Sequence, residues 1–306
     1  MEFRQLQYAM QIAVDKNFSR AAEKLHIAQP SLSQQLSKLE KELGVLLFQR
    51  NTNAVEITHA GTLFMEKANK IIDMVEQLKK EMDDISQMRK GKLVVGCLPI
   101  TGSHILPIVL PVFQAKYPEI EIVLVEETTA NLERLTSNGQ TDVCILSLPI
   151  HEPSLIYRTI VREEICLAVP QQHVLAGGLG LNSAEALSGI AKINIEDLKG
   201  ESFIFLKKGQ GFRNIAIDLC KEAGFMPNIV FESSNIETVQ SLVAAGMGIA
   251  FVPQMVTRDK WSHFAPVYLP LSHPHASRTL VIAYRKGRYL TKAAEAFIQT
   301  LQEEMI

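Results

Sequence analysis

The feature that most constrains this chain is the stretch from residue 59 to about 89, which contains no proline and no glycine after Gly61. Seven apolar residues recur there at alternating spacings of four and three: Phe64, Ala68, Ile71, Val75, Leu78, Met82 and Ile85. This heptad spacing predicts one apolar stripe on a long helix whose other faces are charged. A narrow apolar stripe has to be covered. We expect a second copy of the chain to cover it, and packing against the helix's own chain is the alternative.

The residues before this helix predict three short helices followed by a small β-ribbon. The second helix is expected to begin at Ser19, because serine is a good N-cap residue. Gly44 is expected to end the third helix, since glycine readily adopts the left-handed conformation there. The inward stripe of that helix is formed by Leu32, Leu36, Leu39 and Leu43. Residues 47–58 predict two strands around a polar turn, and Thr58 is placed to cap the long helix.

Two helices joined by a short turn, the second with an inward leucine stripe, form the geometry of a helix-turn-helix motif, whose second helix lies in the DNA major groove. The outward face of that helix carries Ser31, Ser33, Gln34, Gln35, Ser37 and Lys38. Glutamine pairs with adenine, and lysine binds guanine or phosphate. In the ribbon turn, Arg50, Asn51 and Thr52 can contact phosphates or the minor groove. The alternative is that these polar residues only solubilise an ordinary helix.

The sequence changes character at Gly91, beyond which apolar runs alternate with amphipathic helices. Strands are predicted at 93–96, 120–125, 143–146, 203–206, 229–231, 249–252 and 280–283. Helices are predicted near 103–117, 130–138, 212–223, 235–245 and 292–304. Strands that are apolar almost throughout indicate an α/β sheet covered on both faces, and the length suits two small lobes. The segment 170–200 predicts a loop with one short helix.

Several motifs at these separations resemble LysR-type bacterial transcriptional regulators. In the N-terminal part they are Ser19-x-Ala-Ala, Gln29-Pro-Ser-Leu-Ser-x-Gln, Leu39-Glu-x-Glu-Leu-Gly and Leu47-Phe-x-Arg. The match continues through Leu106-Pro107, Gly224-Phe-x-Pro and Val243-Ala-Ala-Gly-Met-Gly-Ile-Ala-x-x-Pro253, so that it covers essentially the whole chain.

The resemblance implies an N-terminal all-α winged helix-turn-helix with a long linker helix, and a C-terminal α/β two-lobed effector domain similar to periplasmic binding proteins. The expected boundaries are 1–58 for the DNA-binding domain, 59–89 for the linker and dimerisation helix, and 92–306 for the effector domain. Within the effector domain, lobe I is 92–163 with 268–306, and lobe II is 164–267. Double-stranded DNA, a second copy through an antiparallel linker helix, a homotetramer and RNA polymerase are the implied partners. A small molecule in the cleft is implied to alter DNA bending.

Carried over onto this sequence, the resemblance places DNA contacts on the third helix and the wing. Together with Lys38 from the outward face, the expected contacts are Gln29, Pro30, Ser31, Ser33, Gln34, Arg50 and Thr52.

An effector site is expected at the carboxyl ends of the strands, next to helix N-termini, where ligands of open α/β sheets bind. In lobe I this edge carries Pro99, Ile100, Thr101, Ser103, Thr128, Thr129 and Ser147. In lobe II it carries Lys207, Lys208, Gly209, Phe212, Ser233 and Ser234. Hydroxyls converging with lysines, and with Arg213, favour an anion, for which a small carboxylate is our interpretation. Helix capping is the alternative role for each hydroxyl.

Other classes of function receive little support from the residues. The four cysteines lie far apart, and Cys166 and Cys220 are 54 positions from one another, which disfavours a thiol-based redox sensor of the same family. His273-Pro-His275 has no further ligand at zinc spacing, so we expect no metal, and no cofactor. No catalytic motif occurs, so we expect no enzyme. A solute-binding module is the main rival. Without a membrane span or a signal peptide, we expect a cytoplasmic protein.

Overall fold

The computed structural model describes residues 1–51, 54–86, 91–176, 192–257 and 265–305. They form two compact units, Met1–Ser86 and Gln87–Ile306. The first unit consists, in chain order, of helices α1 (Phe3–Asp15), α2 (Phe18–Lys24) and α3 (Gln29–Leu43), strands β1 (Phe48–Asn51) and β2 (Ala54–Ile57), and helix α4 (His59–Ser86). This is the predicted order of helices and ribbon.

The core of the first unit forms between the first three helices. Leu32, Leu36 and Leu39 of α3 are buried there, as the spacing predicts. Leu43 is 37% exposed, so the prediction that it faces inward is wrong, because it lies in the last turn of α3. Gly44 ends the helix at a φ of 71°, which confirms the expected C-cap.

The N-cap of helix α2 is Asn17, two positions before the predicted Ser19. The Asn17 side chain accepts a hydrogen bond from the backbone N–H of Arg20 at 3.0 Å. Phe18 is thereby the first helical residue and is buried in the core. Asparagine and serine cap equally well, so sequence alone favours neither position.

The β-ribbon is tied to α3 by one carboxylate. Glu40 accepts hydrogen bonds from the backbone N–H groups of Leu47, at 2.7 Å, and Phe48, at 3.2 Å. Strands β1 and β2 then pair antiparallel. Thr58 caps α4 as predicted, since its hydroxyl accepts from the N–H of Gly61 at 2.9 Å.

The apolar stripe of α4 is partly covered by its own unit. Ala68 is buried and Phe64 is half-buried against the core, whereas Ile71, Leu78 and Met82 are 41%, 57% and 50% exposed. Val75 is half-buried. Leu63 and Met74 add to the exposed apolar surface. The side chain of Ile85 and residues 87–90, where the helix was predicted to end, lie outside the described part.

In its described residues the second unit contains six helices and strands before the segment 170–200 and eight after it. In chain order they are β3 (Gly91–Cys97), α5 (Pro99–Lys116), β4 (Ile120–Glu126), α6 (Thr129–Ser137), β5 (Val143–Ser147), β6 (Leu155–Val169), β7 (Ser202–Leu206), α7 (Gly211–Glu222), β8 (Asn228–Ser233), α8 (Ile236–Ala244), β9 (Ala250–Pro253), β10 (Val267–Pro270), β11 (Ser277–Arg285) and α9 (Lys292–Glu304). Short 3₁₀ turns lie at Val174–Ala176, Ile195–Leu198 and Gln254–Thr257. All predicted strands and helices of this part are present.

The main sheet has seven strands in the order β10-β6-β11-β5-β3-β4, with β9 also pairing with β6. Strand β3 runs parallel to β4 and β5, while β6 runs antiparallel to β9, β10 and β11. Strands β7 and β8 form a separate parallel pair. The sequence analysis missed β6 and β10. Charged residues interrupt β6, because its first half is largely exposed and only its last five residues are continuously buried.

Two hydrophobic cores support this unit. Helices α5 and α9 cover one face of the sheet, where Phe113 and Phe297 pack edge to face. The opposite face joins a larger core with α7 and α8 around Phe203. Residues 177–191 of the loop expected at 170–200 lie outside the described residues. No helix in the described ranges is long and apolar enough to cross a membrane.

Candidate DNA-reading face and effector cleft

The predicted DNA contacts on α3 form an exposed face at the start of that helix. Gln29, Pro30, Ser31, Gln34 and Lys38 are exposed, and Ser33 is half-buried. Helix α3 begins at Gln29 because proline fits the first turn of a helix, and Ala28 supplies no side-chain cap. The uncapped N-terminal N–H groups thus lie beside these polar side chains.

One of the expected outward residues of α3 is placed differently, and the wing side chains lie outside the described residues. Gln35 is half-buried and accepts a hydrogen bond from the Gln5 side chain at 3.2 Å, so it faces the core, not the DNA side. The backbone of Arg50 belongs to β1, but its side chain, like Thr52, lies outside the described residues.

The predicted effector site includes the carboxyl ends of β3 and β5, which are adjacent parallel strands. Thr101, in the first turn of α5, and Ser147, the last residue of β5, are 0% and 4% exposed. The hydroxyl oxygens of both are buried and have no hydrogen-bond partner. A buried polar group without a partner costs about 1–3 kcal/mol, so this edge is poised for a ligand or water.

A hydrogen bond joins the two sides of the predicted cleft. The backbone N–H of Gly211, at the start of α7, donates to Oγ1 of Thr129, at the start of α6, at 3.0 Å. A Cβ atom on Gly211 would lie 2.8 Å from the same oxygen, so only glycine allows this approach without a shift. Thr128 is the N-cap residue of α6 without a capping hydrogen bond from its side chain, and its methyl group faces Gly209. The structure therefore brings the predicted edges at 128–129 and 209–211 together.

Arg278 is a residue of this region that the sequence analysis missed. Arg278 is 2% exposed, and its guanidinium lies over the ring of Phe212, 5.4 Å from the ring centroid. Nε donates to Glu163 at 2.6 Å, and Nη2 lies 3.3 Å from the sulfur of Met255, but Nη1 is buried without a hydrogen-bond partner. Burial lowers the pKa of Arg278, and the adjacent Glu163 partly offsets this effect. An arginine at the start of an apolar strand was the only sequence signal.

Several other predicted effector residues have local roles or lie at the surface. The Ser103 hydroxyl donates back to the carbonyl of Pro99 at 2.8 Å, and both residues are exposed. Ser233 accepts from the N–H of Asn235, the N-cap residue of α8, at 3.1 Å, and Ser234 is exposed.

The predicted cations behave differently from Arg278. Lys207 and Lys208 are exposed. The apolar Ile100, which was also predicted for this site, is 8% exposed and packs in the larger core. Arg213 is buried, with its guanidinium on the carbonyl of Leu206 and on Glu232. Its charge is therefore neutralised within lobe II.

The four cysteines are all free and buried. Burial raises the pKa of Cys97 to about 11, with a contribution from Glu126, and the pKa values of Cys144, Cys166 and Cys220 to about 12. Cys97 and Cys144 pack into different cores on opposite faces of the sheet. All four are therefore neutral thiols at physiological pH, and the thiolate is the reactive form.

A winged helix-turn-helix unit and a two-lobed α/β unit define a DNA-binding regulator with an effector-binding domain. Residues 3–62 match the model of the bacterial regulatory helix-turn-helix proteins of the lysR family, and residues 86–306 match the LysR substrate binding domain. The chain belongs to the LysR family of transcriptional regulators, as the motifs indicated. The match over the N-terminal unit disfavours the solute-binding module.

Full-length relatives support this assignment. The uncharacterized HTH-type transcriptional regulator YcgK of Bacillus subtilis strain 168 is 41% identical over 314 residues, which cover 100% of this chain and 95% of the relative. The DNA-binding transcriptional dual regulator OxyR of Escherichia coli K12 is 31% identical over 305 residues, covering 100% and 96%. These relatives are transcriptional regulators and not enzymes.

Solved structures share the fold. A variant of full-length OxyR from Pseudomonas aeruginosa superimposes with a TM-score of 0.75 at 27% identity, covering 99% of this chain and 95% of that one. Full-length CbnR in complex with its target DNA superimposes with a TM-score of 0.69 at 23% identity, covering 99% and 100%.

Proposed function

We propose that this LysR-type regulator reads DNA with α3 and the wing, pairs with a second copy through α4, and responds to a small anion, a carboxylate, held between its lobes. In this proposal the DNA-binding part is 1–58, α4 opens the linker, and the effector part begins at 92. The lobes divide as expected from the sequence, at about 163 and 268. A tetramer on DNA, and contact with RNA polymerase, complete the proposal.

The observation that supports an anionic effector is the unused hydrogen-bonding capacity of buried groups. Arg278 has a buried guanidinium N–H without a partner, and Thr101 and Ser147 each have a buried hydroxyl without one. A carboxylate accepts charge-assisted hydrogen bonds from an arginine and further bonds from hydroxyls. Because Lys207 and Lys208 are exposed, we assign to them attraction of the anion at longer range and not direct contact.

DNA reading is supported by the exposed start of α3. Gln34 can pair with adenine, and Ser31 with several base edges, while the uncapped N–H groups at the helix start suit a phosphate. The net charge of the chain is −2, so attraction to the DNA backbone has to come from local placement and from several copies binding together.

The proposal is tested by thermal unfolding of the full chain with a panel of small organic acids, their neutral amides and small amines. We expect at least one carboxylate to raise the melting temperature, and Thr101→Val and Ser147→Ala to reduce that rise. Thr300→Val is the matched control, because Thr300 is buried in α9 and its hydroxyl donates to Ala296 within the helix. Stabilisation only by neutral or cationic compounds would refute the proposal that the effector is an anion.

The link to DNA is tested by fluorescence anisotropy with the DNA that flanks the protein's own gene and with random DNA, over a salt series. Preference for the flanking DNA, altered by the acid that stabilises the protein, is the expected result. An acid that stabilises the protein without changing DNA binding would separate effector binding from regulation.

Peroxide sensing is a second candidate, because relatives such as the one from Haemophilus influenzae are described as hydrogen peroxide-inducible genes activators. Burial of Cys166 and Cys220 with raised pKa values argues against it here, since a sensor cysteine is accessible and ionised. We therefore favour a bound effector over thiol oxidation.

A further inference from the structure

Three side chains with metal-binding atoms meet on the second unit at a distance from the cleft. Glu222 is the last residue of α7, and His273 and His275 lie in the turn between β10 and β11. Their ligand atoms all lie within 4.8 Å of one another, and this is the one such group in the described ranges. Helix α7 has 12 residues, so Glu222 is roughly 16 Å along the helix from the cleft contact of Gly211.

Two of the three distances between these ligand atoms lie on either side of the spacing in a metal site, and the third is within 4.8 Å. Oε2 of Glu222 is 3.9 Å from Nε2 of His273 and 2.7 Å from Nδ1 of His275. Ligands about 2.0–2.1 Å from a tetrahedral zinc ion lie roughly 3.3 Å apart. The His273 distance is therefore slightly long, and the His275 distance is that of a hydrogen bond which a metal ion would replace.

The burial of the two rings suits this replacement. The His273 side chain is 11% exposed and so is held in place, whereas the His275 side chain is 69% exposed and has room to move into the spacing that a metal ion requires. Nδ1 of His273 accepts a long hydrogen bond, 3.3 Å, from the N–H of His275, so Nε2 is the nitrogen that faces Glu222. Metal binding at Nε2 moves the ring proton to Nδ1 and gives up this weak contact.

We propose that Glu222, His273 and His275 bind a first-row transition-metal dication, with Zn²⁺ as the preferred ion. Two imidazoles and one carboxylate suit zinc and its neighbours better than Mg²⁺ or Ca²⁺, which prefer oxygen ligands. Three protein ligands leave a fourth position for water. The ion joins the end of α7 to the β10–β11 turn, and this site does not depend on the proposed effector.

The test uses the full chain without an affinity tag, stripped of metal with a chelator. Zn²⁺ is titrated in competition with a chromophoric chelator, and bound metal is counted by mass spectrometry after gel filtration. We expect one Zn²⁺ per chain and a higher melting temperature with Zn²⁺, but neither with Mg²⁺ or Ca²⁺. Loss of an outer-sphere partner already lowers metal affinity about tenfold. Because Glu222 and His275 are direct ligands in this proposal, we expect Glu222→Gln and His275→Gln each to lower the Zn²⁺ affinity at least about tenfold.

The matched control is His173→Gln. His173 also faces a carboxylate, with Nε2 at 3.5 Å from Glu201, but this pair is not part of a three-ligand group among the described residues. This variant should bind Zn²⁺ as the unmodified chain does. Because Glu222 and His275 are largely exposed, their variants should fold. Equal Zn²⁺ affinity in the unmodified chain, Glu222→Gln and His275→Gln would overturn the proposal, as would the absence of binding.

Discussion

Arg278 and Glu163 are cross-strand partners on β11 and β6, and the guanidinium Nε donates to the carboxylate Oε1 at 2.6 Å with both side chains buried. The second carboxylate oxygen accepts from the N–H of Met255 at 2.9 Å. Because a buried charge without a partner is strongly unfavourable, each member of this pair depends on the other. The pair thus holds a cation beside Phe212, at the edge of the proposed effector site.

We expect Glu163→Gln to lower the free energy of unfolding by up to about 3–5 kcal/mol, because it leaves the charge of Arg278 uncompensated. An anion bound at Nη1 would restore the lost neutrality. The effective carboxylate should therefore raise the melting temperature of this variant more than that of the unmodified chain. Glu201→Gln, which removes a partly exposed carboxylate elsewhere, is the control. If the carboxylate raises the melting temperature of Glu163→Gln and of the unmodified chain equally, an anion at Arg278 is contradicted.

The two halves of the DNA-reading face should respond differently to truncation. Gln34→Ala is expected to relax sequence preference at one or two base pairs, at a cost of ~1–3 kcal/mol, because glutamine reads a base edge. Arg50→Ala should weaken binding to all sequences alike and reduce its salt dependence, because a phosphate contact carries no sequence information. Anisotropy with specific and random DNA measures both effects. Equal losses on both DNAs for both variants would refute this division.

The exposed apolar side of α4 should hold two copies together. Leu78→Glu and Met82→Glu place a charge where apolar side chains are 57% and 50% exposed in the single chain, so we expect a shift from dimer to monomer. Sedimentation velocity at several concentrations measures the change in mass. Lys79→Glu, at an exposed position of the same helix, should leave the dimer intact. A dimer that survives both Leu78→Glu and Met82→Glu would exclude α4 as the interface.

The buried thiols should be slow to react. With pKa values raised by burial to about 11 and 12, the cysteines should resist alkylation and peroxide at pH 7–8 in the folded chain and react fully after unfolding. A raised pKa also means that the unfolded chain ionises first. The contribution of the protonated thiols to the free energy of unfolding is therefore complete below the usual thiol pKa of 9.0. It is lost as the pH rises through the raised pKa values of the folded chain. Rapid oxidation of one thiol at pH 7 would favour the peroxide reading.

Local pattern was enough to predict most of the fold. The inward Leu32, Leu36 and Leu39 of α3, Gly44 at its end and the cap at Thr58 depend on neighbouring residues, and each is present as expected, whereas Leu43 is not. The strand β6 was missed because its first half lies at a partly exposed edge, where charged residues remove the apolar pattern. A strand with one buried half has no uniform period to detect.

The candidate site was only partly predictable, for a different reason. Thr101, Thr129 and Ser147 follow from the rule that ligands lie beyond strand ends, and all three are buried there. Arg278 enters from an antiparallel strand, so that rule does not include it. Glu222 and His275 are 53 positions apart, and only the fold brings them to 2.7 Å. Spacing along the chain cannot report such pairs.

The contact of Glu40 with the N–H groups of Leu47 and Phe48 has a consequence for how such regulators diversify. This carboxylate and the buried leucines hold α3 and the ribbon as one body from the inside. The exposed residues that face DNA, such as Gln29 and Gln34, take no part in that support. Substitutions among them can therefore change which operator is recognised while the scaffold keeps its stability, so that a duplicated gene can acquire new targets in single steps.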